Sequence, residues 1–337
     1  MKLRMRQAVA RALADAMEQD DTVVVFGEDV AVAEGPFKTS EGLIERFGPL
    51  RVRDTPISEM GFLGLAVGAA ACGLRPVAEI MFVEFMGVAL DQITTEAAFF
   101  HYLSNGELNV PLVVRTSVGS GLGFGLQHSR TLEQWLVGTP GLTVVSPSDA
   151  QTAYGLLRSA ILDDNPVVVL EPRALYAERF ELVTGDDGLV PLGRAAIVRP
   201  GSDVTIVALG QTTGIALKAA EAAGDVDAEV VDLRTLVPWD RTTVFKSVAR
   251  TKRLVVVEES PRSGGWGSEI CAEVTTELFG DLLAPPMRIT CPDVPVPYPA
   301  HLERLYLPQA EEVTTQITEY VRTGRQPPSW WQREGVG

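Results

Sequence analysis

Short runs of β-branched residues recur along this chain, separated by stretches of helical period, and that alternation leaves few folds open. VVVF at 23–26, VVVL at 167–170 and LVVV at 254–257 are continuous, not polar-alternating. Continuous apolar runs are the pattern of strands covered on both faces, as in parallel sheets. They are also far too short to cross a bilayer, which takes about 20 apolar residues in a helix. Between such runs the spacing becomes helical. Over residues 4–19, Met5, Val9, Ala12, Leu13, Ala16 and Met17 fall on one face. Strand and helix in steady alternation predict an α/β fold, a mostly parallel sheet with helices on both sides.

The alternation can be followed to the end. A strand over 22–27 is followed by a small-residue helix near 61–72, a strand over 76–82 and a long helix over 84–103. A strand over 112–116, a glycine-rich segment, a short helix near Leu132, a strand over 142–145, a helix over 150–162 and a strand over 167–170 close this half. From Glu171 to Gly201 the rhythm lapses among Pro172, Gly185, Gly188, Pro191 and Pro200, which reads as a linker with some extended structure. It resumes at Val204 and runs to a helix over 310–321, ahead of a Pro/Trp/Arg tail. Two α/β domains follow from this pattern.

Charge and cysteine usage narrow the function. The 337 residues carry a formal net charge of −15, so nucleic acid and anionic membrane surfaces are unsuited as main partners. Cys72, Cys271 and Cys291 are widely spaced and form no CxxC pair, so no disulfide framework or zinc site is expected. The opening segment lacks an apolar signal-type core and holds acids at Asp15, Glu18, Asp20 and Asp21, which leads to an expectation of a cytoplasmic protein.

Ligands of open parallel sheets gather past the carboxyl ends of the strands. Three segments are predicted to lie there: Gly27-Glu28-Asp29, Asp54 to Gly61, and Gly119 to Ser129. Each has an ordinary explanation beside the functional one. Glu59 ahead of a helix is also what the helix dipole favours at an N-terminus. His128, on a glycine-rich loop, is either a surface histidine or a group that moves protons near neutrality. The loop is not a phosphate loop, since neither GxxxxGK[ST] nor GxGxxG opening a helix is present.

The run DTPISEMGF, followed in order by GAAACGLRPVAEIMF, VEFMGVALDQI, QHS, PGLTVVSPSD, ILDDNPVVVLEP, DLRTLVPWD and PDVPVPYP, resembles a known family. It is the β subunit of the thiamine-diphosphate-dependent 2-oxoacid dehydrogenases, which includes the pyruvate, branched-chain and acetoin enzymes. The resemblance spans about residues 6–321. It implies two doubly wound α/β domains: a pyrimidine-type thiamine diphosphate domain over 1–175 and a transketolase-like C-terminal domain over 201–325, with a linker at 176–200 and a tail at 326–337.

The resemblance implies a division of labour. An α subunit, in a heterotetramer of two α and two β chains, holds magnesium and the diphosphate through a GDG-type motif. Here Gly185-Asp186-Asp187-Gly188 is the nearest string, and it lies in the linker. Glu59 matches the carboxylate that bonds the pyrimidine N1′, with Ile57, Met81 and Phe85 as apolar neighbours and Phe85 stacking on the ring. Glu28 matches an acid near the cofactor. His128 matches the histidine that assists substrate binding or the transfer of the acyl group to the lipoyl arm of the acyltransferase core. A potassium site is implied at Leu112, Ala160, Ile161, Asp163 and Asn165, where an ordinary turn before Pro166 is the competing account. After QHS stands Arg130, where the family usually has glutamine, so the 2-oxoacid stays open. The alternatives are an acetoin dehydrogenase β subunit and a non-catalytic assembly subunit.

Overall fold

The computed structural model describes residues 2–332, which group into two compact units. The units are not contiguous in sequence. Of the described residues, the first holds those up to Val118 together with Trp135–Leu192, and the second holds Gly119–Gln134 with those from Gly193 on.

The first unit contains β1 (Lys2–Arg4), α1 (Met5–Gln19), β2 (Val23–Gly27), α2 (Leu43–Phe47), β3 (Val52–Asp54) and α3 (Glu59–Ala71). It continues with β4 (Arg75–Phe82), α4 (Ala98–Leu103), β5 (Val113–Val118), β6 (Thr143–Val145), α5 (Ala150–Leu162), β7 (Val167–Pro172) and β8 (Arg179–Glu181). Its main sheet runs β6-β7-β5-β4-β2-β3, every pair parallel. One face is covered by α1 and α5, whose Met5, Val9, Leu13, Met17, Leu156 and Leu157 pack with Val25, Val113 and Val167. On α5 the helix start is fixed by a capping box, Asp149 accepting from the Thr152 N–H at 2.6 Å. The helix α3 packs on β4 with Leu63, Ala66, Val67 and Ala70 buried.

The second unit contains β9 (Ala196–Arg199), β10 (Val204–Ala208), α6 (Gln211–Ala222), β11 (Ala228–Asp232), β12 (Thr235–Val237), α7 (Arg241–Thr251) and β13 (Leu254–Pro261). After these come α8 (Gly267–Leu278), β14 (Met287–Cys291), α9 (Ala300–Tyr306) and α10 (Ala310–Thr323). Its sheet is ordered β14-β13-β10-β11-β9, parallel except for the antiparallel edge strand β9.

Four local expectations need correction. The stretch read as a linker with some extended structure over 176–200 is also part of a core: β8 pairs with β1, and Tyr176, Leu182 and Val190 enter the first core. Its prolines and glycines mask strand and core positions too short to show a period. The long helix predicted over 84–103 is broken into a 3-10 turn at Val83–Val88, a π-helical stretch at Gln92–Ala97 and α4. The helix near Leu132 is a single 3-10 turn at Glu133–Trp135. Of the tail over 326–337, Trp330 is buried in the second core and its indole N–H donates to the Leu305 carbonyl at 2.7 Å. Residues 333–337 of that tail lie outside the described residues.

Candidate active site

In the first sheet β2 leads on to β3 at one side, whereas its neighbour β4 leads on to β5 at the other. Such a reversal opens a crevice past the carboxyl ends of β2 and β4, the usual ligand position of an open parallel sheet. Glu28 follows β2 directly. The chain leaving β3 crosses over the same end, with the Thr55 N–H donating to the Gly27 carbonyl at 2.9 Å, and Glu59 then opens α3. Glu59 is 9% exposed.

The structure brings Glu28 and Glu59 together. Burial raises the Glu28 pKa, and the charges of Glu59 and then Asp29 raise it further. The Glu28 Oε1 is buried with no hydrogen-bond partner, and so is the Thr55 hydroxyl at the neighbouring strand end. Buried polar atoms are normally satisfied, and orphans gathered in a crevice call for a ligand that both donates and accepts.

The β4 side supplies an aromatic wall. Phe82 meets Phe85 edge to face, with centroids 5.6 Å apart, and the Arg173 guanidinium lies 4.9 Å over the Phe82 ring. Arg173 also donates to the Ser117 Oγ at 3.1 Å, and Ser117 in turn donates to the Met81 carbonyl at 2.6 Å. Met81 and Phe85 are half-buried. Ile57, read as an apolar neighbour of Glu59, is 86% exposed in this chain, with Met60 and Leu65 also exposed. It sits after Pro56, ahead of the helix, where nothing of this unit covers it.

His128 belongs to the other unit, on the loop 119–134. It is half-buried, and its N–H donates to the Gly125 carbonyl at 3.2 Å. Sequence reading missed the acids that hold this loop. Ser120 donates to Glu259 Oε1 through its N–H at 2.6 Å and its hydroxyl at 2.7 Å, and the Gly121 and Gly123 N–H groups bond to Glu303. A signal existed in the acid pair Glu258-Glu259 closing the LVVV strand, where charge inside an apolar run demands partners.

Comparison with known proteins gives the family. Residues 1–179 match the transketolase pyrimidine binding domain, and residues 193–313 match the transketolase C-terminal domain. The chain is 45% identical over 317 residues to the mitochondrial pyruvate dehydrogenase E1 component subunit beta-1 of Arabidopsis thaliana, covering 93% of this chain and 87% of that one. It is 43% identical over 318 residues to the corresponding beta subunit of Rhizobium meliloti (strain 1021), with coverage of 94% and 69%. The chain belongs to the β subunits of the 2-oxoacid dehydrogenases. A solved structure described as a split-gene transketolase, an inactive β4 tetramer, superposes with a TM-score of 0.78 at 26% identity, over 96% of this chain and 100% of that one.

As a β subunit of an E1 component, an oxidoreductase that acts with an α subunit, the chain is part of a thiamine diphosphate enzyme. The orphaned Glu28 oxygen past β2 and the orphaned Thr55 hydroxyl past β3 suit a ring that carries both donors and acceptors, as an aminopyrimidine does. The string Gly185-Asp186-Asp187-Gly188 forms a 3-10 turn in which the Gly188 N–H bonds to the Gly185 carbonyl, with Gly188 against Tyr154.

The turn read as a potassium site is held by Arg75. Its Nη1 donates to the Ile161 and Asp163 carbonyls at 3.0 and 2.9 Å, and its Nη2 donates to Asp164. The Leu112 carbonyl accepts from the Val167 N–H, the Ala160 carbonyl from the Asp163 N–H, and Asp163 Oδ1 accepts from Asn165. The guanidinium thus already occupies two of the carbonyls of this turn. Among the described residues, no three His, Cys, Asp or Glu side chains gather as a metal site. No helix among them is long and apolar enough to cross a membrane.

Proposed function

We propose that this chain supplies the pyrimidine half of the active site in an E1 component that oxidatively decarboxylates pyruvate and acylates the lipoyl group of an acyltransferase core. The observation that carries this reading is the pair Glu28 and Glu59 at the switch point of the first sheet, with an orphaned Glu28 oxygen beside them. Pyruvate is favoured over branched-chain 2-oxoacids and acetoin because the relatives at 43% to 45% identity are named pyruvate dehydrogenase subunits.

When bound, thiamine diphosphate supplies the carbon nucleophile that attacks a 2-oxo carbonyl. Glu59 holds a proton at the pyrimidine N1′, a task suited to a buried carboxylate at a helix start. Phe85 offers an aromatic face to the ring, and Met81 an apolar one. Glu28 lies next to Glu59 as a second carboxylate through which protons pass. His128 donates a proton in the acyl-transfer step. The α subunit holds magnesium and the diphosphate in an assembly of two α and two β chains. Potassium at the 160–165 turn is a structural ion, read by a rise in melting temperature in potassium over lithium. Substrate contact by Arg130 is read from the substrate preference of Arg130→Gln.

The test is co-expression with the α subunit and assay of CO₂ release from pyruvate, branched-chain 2-oxoacids and acetoin. Thiamine-dependent turnover that is fastest on pyruvate, and abolished in a correctly assembled Glu59→Gln variant, is expected. No turnover with any of them would overturn the enzyme reading, and preference for another substrate would overturn the choice of pyruvate.

A further inference from the structure

The second sheet has its own switch point. β10 leads on to β11 at one side and β13 leads on to β14 at the other, so a crevice opens past the carboxyl ends of β10 and β13. In most open sheets a ligand occupies that position. Here it is taken by the chain itself, the loop 119–134 that bears His128.

The loop is fastened there by buried acids. Glu259, at the end of β13, accepts from the Ser120 N–H and hydroxyl, and Gln211, opening α6 after β10, donates to the same carboxylate. Glu303, on α9 and 2% exposed, accepts from the Gly121 N–H at 2.8 Å through Oε1 and from the Gly123 N–H at 2.9 Å through Oε2. Gly121 and Gly123 have φ of +99° and +75°, a region that glycine enters freely and side chains resist. Those values turn two N–H groups of the loop toward one anion, in the manner of a backbone nest. The base is closed by the Gly119 N–H donating to the Arg130 carbonyl at 2.9 Å. Between these fixed points the side chains of Leu122, Phe124 and Leu126 stay exposed, while Gly125 and Ser129 are buried. The two carboxylates hold its first turn by four hydrogen bonds.

We infer that Glu303 is a positioning residue for acyl transfer: by holding the Gly121 and Gly123 amides it fixes the path of the loop that presents His128. The inference rests on the role proposed above for His128. A glutamine at 303 keeps one acceptor but sets an NH₂ group against the second amide, so the loop is released at one of its two points. Displacement of a reacting group by about 1 Å costs up to roughly a hundredfold in rate.

The experiment uses the assembled E1 component with a lipoyl domain as acceptor. It compares Glu303→Gln, His128→Ala and the double variant in two assays, lipoyl acylation and decarboxylation with an artificial oxidant. Amide hydrogen exchange over 119–130 is followed in parallel. Glu303→Gln is expected to speed exchange in the loop and to lower acylation about tenfold or more, with a much smaller loss in decarboxylation. The double variant is expected to be no slower in acylation than His128→Ala alone, as for residues acting through one another. Unchanged exchange in the loop, or losses that add in the double variant, would overturn the inference. Faster exchange beside a silent His128→Ala would instead remove the histidine's role while leaving the clamp in place.

Discussion

Arg115 holds Glu171 by two parallel hydrogen bonds, Nε to Oε1 at 2.7 Å and Nη2 to Oε2 at 2.9 Å, in the interior of the first sheet. The remaining nitrogen donates to Glu79 on β4 at 2.7 Å, and the Tyr176 hydroxyl donates to Glu171 at 2.7 Å. Glu79 is paired in register with Gly27, so this network underlies the strand ends that carry Glu28. One cation faces two acids, and burial foremost pushes the Glu79 pKa up.

The first prediction follows from that charge balance. Arg115→Met leaves two buried acids without their counter-charge, which costs about 3–5 kcal/mol for a broken buried pair. Glu79→Gln removes a reluctant charge and keeps an acceptor for Arg115, so its cost is expected to be much smaller. Denaturant midpoints of the two variants decide it, and equal losses would contradict the account.

Glu28 gives a second prediction, on pH. Its pKa is raised by burial first and by the charge of Glu59 second. Removing that charge in Glu59→Gln stabilises ionised Glu28 and lowers its pKa. The pKa should not return fully to the ordinary range, because burial persists. Titration of a carbon-13-labelled Glu28 carboxyl would show this, and an unmoved titration would mean that the two acids do not interact.

A third prediction concerns Glu259, whose pKa burial pushes up to about 7 from 4.5. Below pH 4.5 both folded and unfolded chains keep the proton, and the contribution to stability is fully present. Between 4.5 and 7 the unfolded chain releases it while the folded one holds it, so stability falls as pH rises through that window. The fall is about 3 kcal/mol in order of magnitude. Glu259→Gln lacks this titration. Relative to the parent it should therefore gain stability from pH 5 to 8, and parallel pH–stability curves would refute it.

The fold was legible because continuous β-branched runs declare buried parallel strands without any tertiary information. Val23–Gly27, Val167–Pro172 and Leu254–Pro261 all stand where the pattern put them. What stayed hidden is what sequence distance hides. Nothing local to Gly119–Gln134 says that it packs with a unit beginning at Gly193, since the bonds responsible come from Glu259 and Glu303, more than a hundred residues away. The role proposed for Glu59 comes only from its motif, because a lone acid at a helix start reads equally as a dipole charge. The neighbouring Glu28 became meaningful once β2 and β3 were seen to place the two acids at one crevice.

Gly27 offers the last prediction, since it ties the sheet to the site. A Cβ at this position would sit 2.5 Å from the Glu79 carbonyl oxygen and 3.2 Å from the Val30 Cγ1. The carbonyl belongs to the backbone of β4 and cannot turn aside without breaking its pairing with β2. Gly27→Ala must therefore part the two strands at their carboxyl ends, at a cost of about 1–3 kcal/mol for overpacking. Glu28 is the next residue and moves with them. Decarboxylation by the assembled enzyme should fall even at temperatures where the variant is fully folded. Gly214→Ala is the control: Gly214 lies inside α6, and a Cβ added there would meet nothing within 4 Å. Alanine at 214 should add about 0.5–1 kcal/mol of stability without touching activity. If Gly27→Ala were as active and as stable as the control, the close approach of β2 and β4 would not be what sets Glu28 in place.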